Sequence, residues 1–407
     1  MKQIIIVIII FLSALSLCAS DSLNVSCIGR ALNDTTCIAV KDVYVQGEYA
    51  YCACDRDGLI ILDVSDPTEP VEIVRFDTPG FAEAVWARDT LAFIADWNGG
   101  LRIIDVSNPT IPAEIGTTRV SERAMDVAVR GDYAYVGSRG EGLRIVDISD
   151  PLLPVDLGRP ALTDAQAVRC IDFRDDYAFI SGNPHYDGSI RFLDITTPAS
   201  AAEIANYGSE KIVYSLAVTD SFAFFGKFME IAVYSWDSSG LTFETTYELG
   251  TEGSWAKGLA ARPPYLFAAF AYNGLQVYDI TDPISSLPCV GYYDTEYRAP
   301  AVFLEDSLAY VADMEGGLYI LDISSFPDVI AENDIPIKSA INIYPNPFNS
   351  TCRIISDSPV EIYSISGKLI EALDGSDGWT PGINLPSGIY LIRTKDGKQC
   401  RKAVLLR

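Results

Sequence analysis

The phrase Leu59-Ile60-Ile61-Leu62-Asp63-Val64-Ser65-Asp66-Pro67 returns at Leu101 to Pro109, Leu143 to Pro151, Ile190 to Pro198, Leu275 to Pro283 and, altered, at Leu318 to Phe326. Its aspartates stand at 63, 105, 147, 194, 279 and 322, in steps of 42, 42, 47, 85 and 43 residues. A period near 42 residues makes the chain an array of one small unit. Because 85 is close to twice 42, a divergent copy belongs in the gap, and Ile231-Ala232-Val233-Tyr234-Ser235-Trp236 falls there, giving seven copies.

The second copy shows what each must look like. Ala84 to Ala87, Leu91 to Ala95, Leu101 to Val106 and Ala113 to Gly116 are short runs rich in β-branched and aromatic residues. Arg88-Asp89, Trp97-Asn98-Gly99-Gly100 and Ser107-Asn108-Pro109 separate them as turns. Four strands per copy and seven copies predict an all-β fold, a seven-bladed β-propeller in which each blade is a four-stranded sheet. Proline closes the third strand because it cannot donate to a ladder.

The amino end carries a trace of ring closure. Cys27 to Leu32 followed by Cys37 to Val45 matches the order of an outer strand followed by an inner strand, as in Glu114-Ile115-Gly116 followed by Met125 to Val129. Cys27 to Leu32 is therefore expected to form the outermost strand of the last blade, whose own strands lie near Ala299 to Leu304, Leu308 to Asp313 and Gly317 to Ile323. Asp328 to Glu332 is the alternative source of that strand.

Lys2, the apolar run from Ile4 through Leu17 and the small residues Cys18-Ala19-Ser20 read as a secretory signal over residues 1–20, too short to span a bilayer comfortably. The propeller is assigned to 21–330, a polar, proline-broken linker to 331–338 and a second unit to 339–407. Outside the signal lie eight cysteines, a usage that suits an oxidising compartment. Cys27 with Cys37, and Cys352 with Cys400, are the disulfide candidates. Cys52 and Cys54 share one face of one strand, which opposes a mutual bond. They, Cys170 and Cys289 are read equally as buried thiols acting as small hydrophobes.

Beyond the linker, Ile343-Tyr344-Pro345-Asn346-Pro347-Phe348, then Val360 to Ile370 around Ser366-Gly367-Lys368, then Leu385-Pro386-Ser387-Gly388-Ile389-Tyr390 and a short basic-apolar finish alternate apolar with polar residues. They predict a small β-sandwich with an immunoglobulin-like form. These motifs, over Ser339 to Arg407, resemble the type A carboxy-terminal sorting domain of the bacterial type IX secretion system. That resemblance implies export across the outer membrane, contact with the secretion machinery, and an extracellular or cell-surface location with no transmembrane anchor in the mature chain. The repeats, typified by Gly99-Gly100-Leu101-Arg102-Ile103-Ile104-Asp105-Val106-Ser107-Asn108-Pro109, are similar to the LVIVD repeat of surface propellers. The match implies a propeller and carries no agreed catalytic residue or substrate.

The search for chemistry in the residues yields little. His185 is the single histidine, which leaves no multi-histidine metal centre and at most one member of a histidine triad. It lies in the insertion that lengthens the fourth copy, the kind of loop on which function is grafted. The repeated aspartates, one per copy at a strand end, read as caps bonding backbone amides of the following turn. Asp55 to Gly58, Asp96 to Gly99 and Asp313 to Gly316 lack the rest of a calcium loop and read as hairpin turns. No metal or cofactor site is expected beyond loose Ca2+ association with an acidic surface.

Propellers commonly bind where the turns between second and third strands meet the loops entering each inner strand. Those positions hold Trp97, Arg123, Arg139, His185, Tyr186, Phe228, Trp255, Tyr272, Tyr297 and Arg298, a set of aromatics and arginines suited to a sugar or peptide. A net charge of -25 argues against nucleic acid. The expectation is a monomeric, non-enzymatic module binding protein or glycan. The alternatives are a polysaccharide hydrolase or lyase using paired carboxylates, and a structural matrix component.

Overall fold

The computed structural model describes residues 22–33, 37, 39–119, 123–160, 162, 167–182, 188–249, 255–326, 342–344, 352–355, 359–364, 368–373, 377–379, 385, 388–395 and 400–405. These residues are all-β apart from one short 3-10 turn at Pro198–Ser200, and the chain divides into two units, Met1–Asp328 and Val329–Arg407. Among the described residues, no helix is long and apolar enough to cross a membrane.

The first unit carries seven antiparallel sheets, one per copy. Their inner strands are Asp42–Gln46, Ala84–Arg88, Ala124–Arg130, Val168–Arg174, Val213–Val218, Gly258–Arg262 and Ala301–Glu305. Each contacts the next, and Ala301–Glu305 contacts Asp42–Gln46, so the ring is closed. The divergent fifth copy is a full blade, with Phe222–Lys227, Glu230–Asp237 and Gly240–Glu248 outside its inner strand. There the Asp-Pro turn is replaced by a tight hairpin in which Asp237 Oδ1 accepts the Ser239 amide at 2.7 Å.

Each pair of neighbouring blades shares its own apolar core. Between the first and second, for example, Tyr51, Ile61 and Leu59 pack against Val85, Ile94 and Ile104. Burial of the alternating aliphatic and aromatic faces of these strands is the main source of stability.

The clasp forms as expected. Ser26–Ala31 pairs antiparallel with Leu318–Asp322 as the outer strand of the seventh blade. The competing segment Asp328 to Glu332 lies outside the described residues. Gly29 is small for a steric reason: a Cβ there would lie 2.0 Å from the Pro67 carbonyl oxygen of the first blade. Gly116 stands in the same relation to Pro151. A further strand, Ser22–Leu23, adds to the outer strand of the sixth blade, so the amino end straps two blades.

The repeated aspartates do what their strand-end placement predicts. Asp63, Asp105, Asp147, Asp194, Asp279 and Asp322 each accept the amide two residues on, at 2.8 to 2.9 Å. The hydroxyls and amides of Ser65, Ser149 and Thr196, and the amide and hydroxyl of Ser107, hold the carboxyls of Asp63, Asp147, Asp194 and Asp105 below the usual carboxylate range. On the same edge of the blades, level with these aspartates, the ends of the inner strands carry a second repeated device. Gln46 donates to Asp89 O at 2.7 Å, Arg88 to Gly131 O, and Arg130 and Arg174 to the carboxylates of Asp176 and Asp220. Each of these links joins one blade to the first turn of the next.

Two thiol expectations are corrected. Cys27 and Cys37 are free rather than joined. Cys27 faces the sixth blade, where its thiol meets Tyr293 and donates to Gly29 O at 3.4 Å, whereas Cys37 enters the core of the first blade and shares a thiol hydrogen bond with the free Cys54. Cys289 is exposed, because it lies on an outer strand. Cys52 and Cys54 are buried without a mutual bond.

In the second unit, Asn342–Tyr344, Cys352–Ile355 and Asp377–Trp379 form one sheet, and Leu369–Leu373, Val360–Ser364, Gly388–Thr394 and Cys400–Leu405 form another. Ile354 of the first packs with Val360, Ile362, Tyr390 and Ile392 of the second, giving a two-sheet sandwich. Cys352 and Cys400 stand on different sheets, and their side chains lie outside the described residues.

Candidate functional site

One face of the ring is stitched by short backbone bridges from the turn after each second strand to the loop entering the next blade. Asp55 bridges Ala82, Trp97 bridges Ala124, Phe228 bridges Trp255, Ala271 bridges Ala299, and Met314 bridges Val40. Asp55, Trp97, Ala271 and Met314 adopt positive φ there, a left-handed turn in which non-glycine residues are uncommon. The stitching places the turn residues of one blade beside the entry residues of the next.

Several residues singled out from the sequence meet as a result. Phe228, Trp255 and Tyr272 form a run across the fifth and sixth blades, with ring centroids 5.7 and 6.2 Å apart. Phe228 and Tyr272 are exposed. Trp97 and Arg123 form a separate pair between the second and third blades, the guanidinium 5.3 Å from the ring centre. The exposed Arg139 donates its amide to Arg123 O, and Arg298 approaches Glu315 at 4.0 Å. Tyr297 is exposed, and its amide donates to the buried Asp313 at 2.9 Å. His185 and Tyr186 lie outside the described residues.

Asp96 and Asp313 of the hairpin turns look inward. Asp96 accepts from the Thr78 hydroxyl at 2.6 Å and the Gly80 amide at 2.9 Å. Asp313 repeats this with Thr295 and Tyr297. Burial nevertheless outweighs these bonds and raises both carboxyls, Asp313 to about 6.

At the mouth of the ring axis lies a cavity of about 320 Å³ that sequence reading did not find. Its rim is one position taken from every blade: Lys41, Glu83, Met125, Arg169, Tyr214, Lys257 and Pro300. Lys41, Glu83 and Lys257 each donate their amide to the last residue of the second strand. At Met125, Arg169 and Tyr214 the register slips instead, so the residue is extruded from the ladder. The available signal was a column across the aligned copies, varying in character where the flanking residues stay small or apolar.

The rim is cationic. Lys41 is neutralised by Asp55 at 3.2 Å and Glu83 at 3.6 Å. Arg169 and Lys257 have no carboxylate partner among the described residues. Burial lowers the Lys257 ammonium, helped by the charges of Arg298, Lys41 and Arg169, and burial also lowers Arg169. Arg169 Nε is buried without a hydrogen-bond partner, and its guanidinium lies 6.0 Å from the Tyr214 ring centre. Lys257 Nζ sits 5.9 Å from the Trp255 ring centre, so the cavity and the aromatic run share a wall.

Two carboxylates also line the cavity, but the scaffold engages them. Asp42 Oδ2 accepts the Val85 amide at 3.0 Å. Asp126 accepts the Val127 amide through Oδ1 and the Ile171 amide through Oδ2, both at 2.8 Å. Burial raises Asp42 to about 6; burial and the nearby Asp42 charge raise Asp126 to about 7.

Comparison with known proteins agrees with this architecture. Residues 39–78, 79–120, 122–159, 255–295 and 299–327 match the LVIVD repeat, and residues 342–405 match a secretion system C-terminal sorting domain. The fourth and fifth blades lie between the matched stretches. Among curated proteins, none matches the chain. Similar solved structures include the computationally designed Ika8 protein, at 11% identity and a TM-score of 0.55, covering 73% of this chain and 99% of that one. The β-propeller domain of Cps50 (Swd1) from Myceliophteria thermophila is 13% identical with a TM-score of 0.56, covering 70% of this chain and 96% of that one. At such identities the likeness speaks for the fold alone. The chain therefore joins a β-propeller, five of whose blades match the LVIVD repeat, to a secretion system C-terminal sorting domain, which indicates export to the cell surface or the extracellular space.

Proposed function

We propose that this exported propeller is a non-enzymatic binding module that takes a glycan or protein ligand on the face holding the axial cavity. The observation that carries the reading is the run Phe228, Trp255 and Tyr272, two of them exposed, beside that cavity. Adjoining aromatic rings offer large contact area at low entropic cost, which suits sugar rings and peptide side chains alike. The hydrolase or lyase alternative needs two carboxylates free to act on substrate. Asp42 and Asp126 are held by backbone amides and Glu83 is paired with Lys41, which favours binding over turnover.

The test is an array of glycans and peptides probed with the full chain, followed by affinity measurement for Trp255→Ala and Tyr272→Ala. Retention of a ligand without product, weakened roughly tenfold or more by Trp255→Ala, is expected. Release of shortened polysaccharide would replace this reading with the enzymatic one.

A further inference from the structure

We infer that the axial cavity is an anion site that receives the carboxylate of an acidic sugar unit, while the rest of the polysaccharide runs outward over Trp255 and Tyr272. This deepens the binding reading above and rests on it.

The chain has a net charge of -25, yet Lys41, Arg169 and Lys257 converge on one small concavity. On the rim three cations face one carboxylate, Glu83, and a local surplus of positive charge concentrates counter-charged ligands. Lys41 is paired there with Asp55 and Glu83, and Glu83 acts at longer range on Lys257 and Arg169. Arg169 and Lys257 have no carboxylate partner among the described residues, and the buried Arg169 Nε lacks any acceptor. An arginine in a partly desolvated site, with a donor still unsatisfied, is suited to a planar carboxylate. Asp42 and Asp126 do not meet this demand, because they are turned to the amides of neighbouring blades, and Glu83 is ion-paired with Lys41.

A volume of about 320 Å³ falls at the small end of ligand sites, which run from roughly 300 to 1,000 Å³, enough for one monosaccharide unit. Lys257 belongs both to the cavity wall and to the surface beneath Trp255. An anion held in the cavity would therefore place its neighbours in a chain against the aromatic run. A free small anion would leave that run uncovered, and a run of acidic residues alone would bring no ring to stack on it.

The experiment uses the full chain and titration calorimetry with three probes: oligogalacturonate, the same oligomer fully methyl-esterified, and poly-glutamate. Oligogalacturonate is expected to bind at least tenfold more tightly than its ester and to weaken with added salt. Arg169→Gln and Lys257→Gln should each remove that preference, while Arg169→Lys retains part of it. Should Arg169→Gln fail to fold, Lys257→Gln alone decides. Equal affinity for acid and ester would overturn this inference and leave the glycan-binding reading intact. Binding of poly-glutamate but of neither oligomer would overturn the sugar assignment in favour of an acidic peptide. Failure of every probe, with array binding of neutral glycans, would overturn the anion site alone.

Discussion

Asp126, on the inner strand of the third blade, accepts the main-chain amide of Ile171 on the inner strand of the fourth at 2.8 Å. The bond spans 45 residues of sequence and ties two blades at the channel wall. Asp42 bonds Val85 and Asp172 bonds Val218 in the same sense. A carboxyl in this position keeps its proton longer than in water.

Stability should therefore fall as pH rises. Burial is the largest cause that lifts Asp126 to about 7 and Asp42 and Asp172 to about 6, against about 3.9 for an unfolded aspartate. Between these values the folded chain holds more protons than the unfolded one, so these groups stabilise below about pH 4 and lose their contribution through pH 6 to 7. The Tm from scanning fluorimetry is expected to be higher at pH 5 than at pH 8, and Asp126→Asn to flatten that slope. A variant with the full slope would contradict this account.

Gly29→Ala is expected to loosen the clasp. The added Cβ meets the Pro67 carbonyl, a backbone atom that no rotamer change can move. Overpacking of this kind costs about 1–3 kcal/mol. Gly208→Ala, where a Cβ meets nothing within 4 Å, is the matched control and should leave the Tm unchanged or raise it. Denaturant titration of both variants checks the difference.

Asp96→Ala should destabilise the second blade. It orphans the Thr78 hydroxyl and the Gly80 amide in a turn where Asp96 is fully buried. Each abandoned donor costs about 1–3 kcal/mol. Asp63→Ala, which loses a cap in solvent, should cost less. Urea midpoints for the two variants would test the order.

Thiol labelling should follow exposure. Cys289 is exposed, though partial burial pushes its thiol up, so alkylation calls for alkaline buffer. Cys52 and Cys54 are buried, with thiols raised well above the usual range. In the native chain at pH 9, Cys289 is expected to react first among the described cysteines, and Cys289→Ser to remove that fast phase. Mass spectrometry of the alkylated peptides reads the sites directly.

The elements most legible in the sequence were those that repeat along a copy. Asp63, Asp105 and their equivalents declared themselves as turn caps because the cap and its amide lie two residues apart. Gly29 and Gly116 announced the clasp because both stand in the same short outer-strand pattern. The stitches through Gln46, Arg88 and Arg130 and the cavity rim were not legible in this way. They join residues 43 to 46 apart, one per copy, so each is visible only when the copies are stacked and compared in columns. Lys257 and Arg169 went unremarked for that reason, while Trp255 and Tyr272, conspicuous by residue type, were singled out as candidates. The fifth strand Ser22–Leu23 left no pattern at all, because two residues are too few to carry one.

The pairing of Ser26–Ala31 with Leu318–Asp322 sets a condition on the order of assembly. In a chain made from its amino end, the strand that completes the ring is among the first to be synthesised and its partner among the last, so the ring stays open until nearly all blades exist. The sorting domain at residues 342–405 comes directly after that partner. A product truncated before the closing blade also lacks the sorting domain. Possession of the export tag thus certifies that every strand needed for closure has been made, and incomplete rings, with their unpaired edges, are left unaddressed.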